Sequence, residues 1–348
     1  MKRFFFLAVA ATCLLASCNK TEIVPTGELQ EISFVAVNKV ATKVPVTGNQ
    51  FLVNDNMAVA AYIVEGTTPN DFFGYTFFER NSKDLWSGKP ARYWPLTTSK
   101  INFLAVTENG GNVDKTTVVF NPDENYASAA TVTLAGNAVS DQNDLMFAAG
   151  TGTHSQGGAY NAFTMIFKHS LAWINFQVAT TTPAASGNTG FTITVNSITL
   201  NGAVYDGTLT LTNDQYESTT ANTTEGVIAN WNYPTPSTPT EVLVPNADGN
   251  DKAAAVTLND KLALFGNGLL VVPDAYATSF TINYTLTQNG GTANTFDYTY
   301  TLPEGEWEMA NKYFYNINIS LTEIEVTPSV TTWDDQGKPT PINGYDKQ

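Results

Sequence analysis

Cysteine and histidine are nearly absent from this chain, with two of each in 348 residues. Cys13 and Cys18 both sit near the N-terminus, so the rest of the chain has no disulfide and no cysteine metal centre. His154 lies in a glycine-rich stretch and His169 inside an apolar run, and neither has carboxylates at metal-ligand spacing. We read His169 as a hydrogen-bonded core or edge residue. No Gly-x-Ser-x-Gly elbow is present, and two histidines are thin material for a Ser–His–Asp relay. Asp334-Asp335 has the form of a glycosidase carboxylate pair, but a polar tail after the last strand is the simpler reading. Neither Asp55 nor Asp71 has an evident catalytic partner residue in the sequence, and nothing approaches the acidic loop of an EF-hand. The residues therefore point away from an enzyme, and no cofactor or metal is expected.

Basic residues are scarce too. Lys and Arg total 17 against 32 Asp and Glu, for a net charge of −15. Such a surface repels phosphate backbones and anionic headgroups, which excludes nucleic acid as a partner and membrane adhesion by charge. Charged residues make up only 14% of the chain, well below the usual quarter. Thr, Asn and Ser replace them, and threonine suits strands better than helices. Beyond the N-terminus no segment keeps an i, i+3, i+4, i+7 apolar pattern. Ala253–Phe265 could hold a turn or two of helix.

What is present begins with an address. Lys2 and Arg3 precede an apolar run from Phe4 to Ala16, closed by Leu15-Ala16-Ser17-Cys18. This is the layout of a secretory signal, residues 1–17, cut between Ser17 and Cys18. The run is shorter than the roughly 20 residues of a spanning helix. Cys18 resembles the lipobox cysteine of bacterial lipoproteins, which implies acylation of its thiol, palmitate included, and an outer-membrane lipid as partner. Residues 18–30 would then be a polar, lipidated tether.

Strand signals start at Glu31 and hardly stop. Ile32–Val37, Met57–Val64, Lys100–Val106, Thr116–Phe120, Met165–Phe167, Leu171–Val178, Phe191–Leu200, Thr208–Leu211, Leu269–Val272, Ser279–Thr287, Thr295–Leu302 and Tyr313–Leu321 are β-branched or aromatic runs. Gly, Asn, Asp and Pro clusters separate most of them, and Asn289-Gly290-Gly291 reads as a hairpin tip. Many short strands predict an all-β chain of antiparallel sandwiches or barrels, and the length suggests two in tandem. Gly150–Gly158 carries no strand signal and sets the expected boundary, giving domains over 31–156 and 157–335 and a polar tail over 336–348. Trp94, Trp173 and Trp333 lie beside strand runs and read as core. Trp86, Trp94, Trp231 and Trp307 also sit near turns, where sugar-stacking residues can occur. Ser218–Thr240 reads as a surface loop.

Several local patterns line up in order: Trp86 with Ala91-Arg92-Tyr93-Trp94-Pro95, Ile101–Val106, Asp144–Ala148, Phe167–Phe176, and Trp307–Ile317 ahead of Val330–Trp333. Behind a lipobox, this series resembles the fimbrillin family, the lipoprotein precursors of type V pili. The resemblance implies two transthyretin-like β-sandwiches in a structural subunit of a cell-surface fimbrium that mediates adhesion. It implies export as a lipoprotein, removal of the N-terminal segment by a trypsin-like protease, and filling of the vacated groove by a neighbour's strand. Other pilin subunits would be the partners, with host or bacterial surface ligands beyond them. The displaced strand would carry Ile32, Phe34, Val35 and Val37, and cleavage would fall at Lys43 or Lys39. The family's best-known protease step uses arginine, whereas the only arginines here are Arg3, Arg80 and Arg92. Either a lysine-tolerant protease cuts, or the chain stays uncut as a non-polymerising, lipid-anchored surface protein: a pilus anchor or tip, or a glycan-binding lipoprotein. A donor strand, if this chain supplies one, would come from Glu323–Thr327 or Val330–Trp333.

Overall fold

A computed structural model describes residues 30–38, 51, 54–65, 68–83, 85–95, 100–108, 113, 118–122, 129–134, 142, 144–152, 163–182, 190–213, 227–232, 241–246, 252–273, 277–303, 307–332 and 340–341. Among them every regular element is a strand, as the threonine-rich, β-branched composition predicts. Seven strands follow one another round a closed barrel: β1 (Ser33–Asn38), β4 (Trp86–Lys89), β3 (Thr68–Arg80), β2 (Asn56–Glu65), β5 (Lys100–Thr107), β8 (Met146–Gly152) and β9 (Phe163–His169). A four-stranded sheet covers one side, ordered β13 (Val227–Asn232), β12 (Gly207–Asn213), β7 (Ala129–Leu134) and β6 (Val118–Pro122).

Side-chain alternation explains why the central barrel strands read as unbroken apolar runs. Along β2, Met57, Val59 and Ala61 point into the barrel, while Ala58, Ala60 and Tyr62 join a second core under the covering sheet. Ile101, Phe103 and Ala105 of β5 point inward, and Leu104 and Val106 outward. Both faces are buried, so no polar alternation is needed.

The remaining strands build two facing sheets. One runs β16 (Ala263–Val271), β10 (Ala172–Ala179), β19 (Asn311–Ile319), β20 (Ile324–Thr332) and β21 (Thr340–Pro341). The other runs β14 (Glu241–Leu243), β11 (Phe191–Asn201), β17 (Ser279–Gln288) and β18 (Ala293–Thr301), with β15 (Val256–Thr257) also on β11. Ile174, Phe176, Tyr315 and Ile317 from the first sheet meet Val195, Ile198, Phe280 and Ile282 from the second in one core. Phe176 meets Phe280 edge to face at 5.0 Å.

Pairing runs across residue 156 in two places. β9 closes the barrel against β1 and β8, and β12 pairs with β7, setting Leu209 opposite Val132. Trp231 of β13 donates from Nε1 to the Ser170 carbonyl at 2.7 Å.

Three local expectations differ from what is observed. Gly150-Thr151-Gly152 ends β8 and is buried, because small residues fit where a strand is covered on both sides. Residues 227–232 of Ser218–Thr240 form β13, the end strand of the covering sheet, whose Trp231 packs against the core beneath it. Ala253–Phe265 holds no helix. The Ala253 and Leu258 amides donate to the Val244 and Ile193 carbonyls, so sheet bonds override the helix preference of alanine.

Glycine is required where β16 crosses β10. Gly268 has φ 72, and a Cβ there would lie 2.6 Å from the Ile174 carbonyl oxygen, beside the register shift between Ile174 and Phe176. Gly290, at the β17–β18 hairpin tip, has φ 74 but open space around it. Gly268→Ala is therefore expected to lower stability by more than the roughly 1–2 kcal/mol of left-handed backbone alone. Gly290→Ala is expected to lose only that backbone component. Thermal melts of both variants check the ranking.

Candidate functional site

β1 occupies the seam of the barrel. Its Ser33 and Phe34 pair antiparallel with Ser87 and Trp86 of β4, while Phe34 through Asn38 pair parallel with Phe163 through Phe167 of β9. The ladder extends ahead of β1, where the Ile32 amide donates to the Arg92 carbonyl at 2.7 Å. The Trp94 amide donates to the Gln30 carbonyl at 2.9 Å. Arg92 is itself held, with Nε donating to Thr76 Oγ1 at 2.8 Å and its guanidinium over the Phe73 ring. Among the described residues β1 is the only strand joining β4 to β9. Without it both strands would present open edges.

The inward face of β1 is set by period-two alternation. Ile32 and Phe34 are fully buried, and Ala36 packs partly against the same core. The Phe34 ring meets Phe78 at 4.8 Å and Phe103 at 5.1 Å, both edge to face. Trp86, Trp94, Met165 and Phe167 line the rest of this core. Val35 takes the opposite face and is half-buried, and the Val37 backbone pairs with Ile166. Ser17, Cys18, Lys39 and Lys43 lie outside the described residues.

The other sequence candidates fall in different places. The segments considered as donor strands lie in or beside β20, which pairs with β19 from Ile324 to Thr332, while β21 pairs with Ser329 and Val330. His169 Nδ1 lies 2.9 Å from Asp144 Oδ1, both buried, at the point where β9 passes to β10. Ser170 completes this corner by donating its hydroxyl to the Leu145 carbonyl at 2.7 Å. Trp86, Trp94, Trp173 and Trp307 are buried and Trp231 is half-buried, so the indoles seen at turns face cores rather than solvent. Among the described residues no cluster of three His, Cys, Asp or Glu could hold a metal ion.

The fimbrillin-like family model matches residues 42–333, so it covers most of the chain and starts just after β1. The chain belongs to the fimbrillin-like family. A fimbrial protein from Bacteroides vulgatus shares its fold, with a TM-score of 0.59, at 16% identity, over 87% of this chain and 99% of that one. A candidate cell adhesion protein from Bacteroides uniformis is also similar, with a TM-score of 0.49, 16% identity, and 89% and 99% coverage. No curated protein sequence matches.

Proposed function

We propose that this fimbrillin-like chain is a structural subunit of a cell-surface fimbrium, joined to its neighbour by strand replacement and serving adhesion. Export as a lipoprotein on Cys18 delivers it to the outer membrane. Cleavage at Lys43 or Lys39 then releases β1, and a strand from a neighbouring subunit takes its place. The barrel with its covering sheet and the two facing C-terminal sheets are, on this reading, the two transthyretin-like domains.

One observation carries the proposal: β1 fills a seam that no other described strand bridges, and it does so with fully buried Ile32 and Phe34. Release exposes the β4 and β9 edges and an aromatic trough together, and an incoming strand satisfies both. β1 also precedes the family match, and both lysines follow it directly in the chain. The solved relative from Bacteroides vulgatus is described as a fimbrial protein, in agreement with this role.

Limited trypsin treatment tests it. The expected result is a new N-terminus at Val44 or Val40, detergent-resistant ladders on gels, and filaments under the electron microscope. Lone particles after loss of β1 would refute strand replacement, and an acylated Cys18 at the N-terminus of polymer would refute the cut. The uncut reading, an anchor or tip subunit, is favoured by one feature. β20, the C-terminal strand best suited to donation, is already paired along its length with β19.

A further inference from the structure

β18 is the terminal strand of its sheet, and among the described residues nothing pairs with its outer edge. Natural sheets protect such edges with lysine, proline, bulges or short length. β18 lacks lysine, proline and bulges and is not short, so the charge of Asp297 is its one guard. It is a nine-residue strand, Ala-Asn-Thr-Phe-Asp-Tyr-Thr-Tyr-Thr, in unbroken register with β17 from Thr287↔Ala293 to Ser279↔Thr301. Asp297 is its only charge, although the chain as a whole carries −15. With one charge per copy, repulsion between copies along this edge is small.

The two faces of β18 differ in chemistry. On the outer face Thr285 and Thr295 hydroxyls lie 3.0 Å apart, those of Thr281 and Thr299 3.1 Å, and Asn283 Nδ2 donates to Asp297 Oδ1 at 2.7 Å. These side chains are already ordered by one another, so extending the ladder adds little entropic penalty. On the other face Tyr300 is buried and Phe296, stacked on Tyr284 at 5.6 Å, is still 45% exposed. Phe296 is thus a large apolar side chain left half open beside an unpaired backbone edge.

We propose that β18 pairs antiparallel with β18 of a second copy, joining two sandwiches into one continuous sheet about a twofold axis at Phe296. In that register Phe296 faces its own mate, Asn294 faces Tyr298, and Ala293 faces Thr299. Thr295 stands opposite Asp297, which prolongs the threonine ladder. A twofold at Asp297 would instead set two carboxylates opposite each other, an unfavourable cross-strand pair. Hydroxyl-and-acid against hydroxyl, and aromatic against aromatic, make the strand complementary to itself. This contact is independent of the barrel seam, since β18 belongs to the other end of the chain's strand order.

The test uses the full chain with Cys13→Ser and Cys18→Ser, which keeps β1 in place and removes both native thiols. Sedimentation over roughly 1–200 µM should show reversible dimers, because a contact this small holds only weakly. Phe296→Lys should raise the dimer dissociation constant at least about tenfold, while loss of the half-exposed Tyr284 stack lowers the monomer's melting temperature only slightly. Phe296→Cys should oxidise to a covalent dimer, since directly opposed residues in antiparallel strands fall within disulfide reach. Thr299→Cys, opposite Ala293 in this register, should not. A monomer at every concentration, or trapping by Thr299→Cys as readily as by Phe296→Cys, would overturn the proposal.

Discussion

Replacing Phe34 by alanine should lower the stability of the barrel by about 3–5 kcal/mol. The ring is fully buried and touches Phe78 and Phe103 edge to face, so truncation loses both transfer energy and aromatic contacts and leaves a cavity at the seam. Val35→Ala, on the half-buried face one residue away, should lose no more than about 1 kcal/mol. Urea unfolding monitored by tryptophan fluorescence compares the two, since Trp86 and Trp94 share the Phe34 core. Equal losses from the two variants would mean that β1 is not anchored through its inward face. Hydrogen exchange adds a local readout. Phe34→Ala should deprotect the amides of β9 beside β1 before those of β10 or β19, which have their own core.

That seam was partly legible in the residues. Ile32 and Phe34 stand two apart in an apolar run, and alternation alone sends both to one side. The neighbours of β1 were not legible. A parallel pairing with β9, far along the chain, is set by no turn and leaves no local signal. The same limit hid the pairing of β12 with β7. The hairpin at Asn289-Gly290-Gly291, by contrast, is fixed by its own turn residues and is observed as expected. β3 escaped notice because Pro69, Asn70, Asp71 and Gly74 look like turn residues, yet the first three pair in register with Val64, Ile63 and Tyr62, and Gly74 falls in a bulge of β3 between the partners of Val59 and Ala61. β8 was obscured by Ala148-Ala149-Gly150, residues too small to register as strand formers but suited to a position covered on both faces. The tryptophans near turns illustrate a different ambiguity. A turn beside an indole is compatible with a ligand platform or with a core corner, and only tertiary packing distinguished them.

A chain beginning at Val44 should bind a synthetic peptide of residues Gln30 to Asn38, and Phe34→Asp in that peptide should weaken binding at least about a hundredfold. The argument follows from where the energy resides. Backbone pairing to β4 and β9 is available to any extended peptide and gives affinity without selectivity. Selectivity comes from the trough, where position 34 meets Phe78 and Phe103 with no solvent access. A carboxylate placed there loses the apolar burial and adds the desolvation of a charge with no partner, which together exceed the roughly 2.7 kcal/mol that a hundredfold represents. Val35→Asp in the peptide should change affinity far less, because that side chain is half-buried on the opposite face. Residue order matters too. The seam offers an antiparallel neighbour on one side and a parallel one on the other, so a peptide of reversed sequence keeps the required chain sense only by setting Ala36 where Ile32 belongs. Fluorescence anisotropy with a labelled peptide measures all four cases. If Phe34→Asp and Val35→Asp bind alike, the trough does not select its strand, and replacement of β1 by a neighbour would lack any physical basis for choosing its donor.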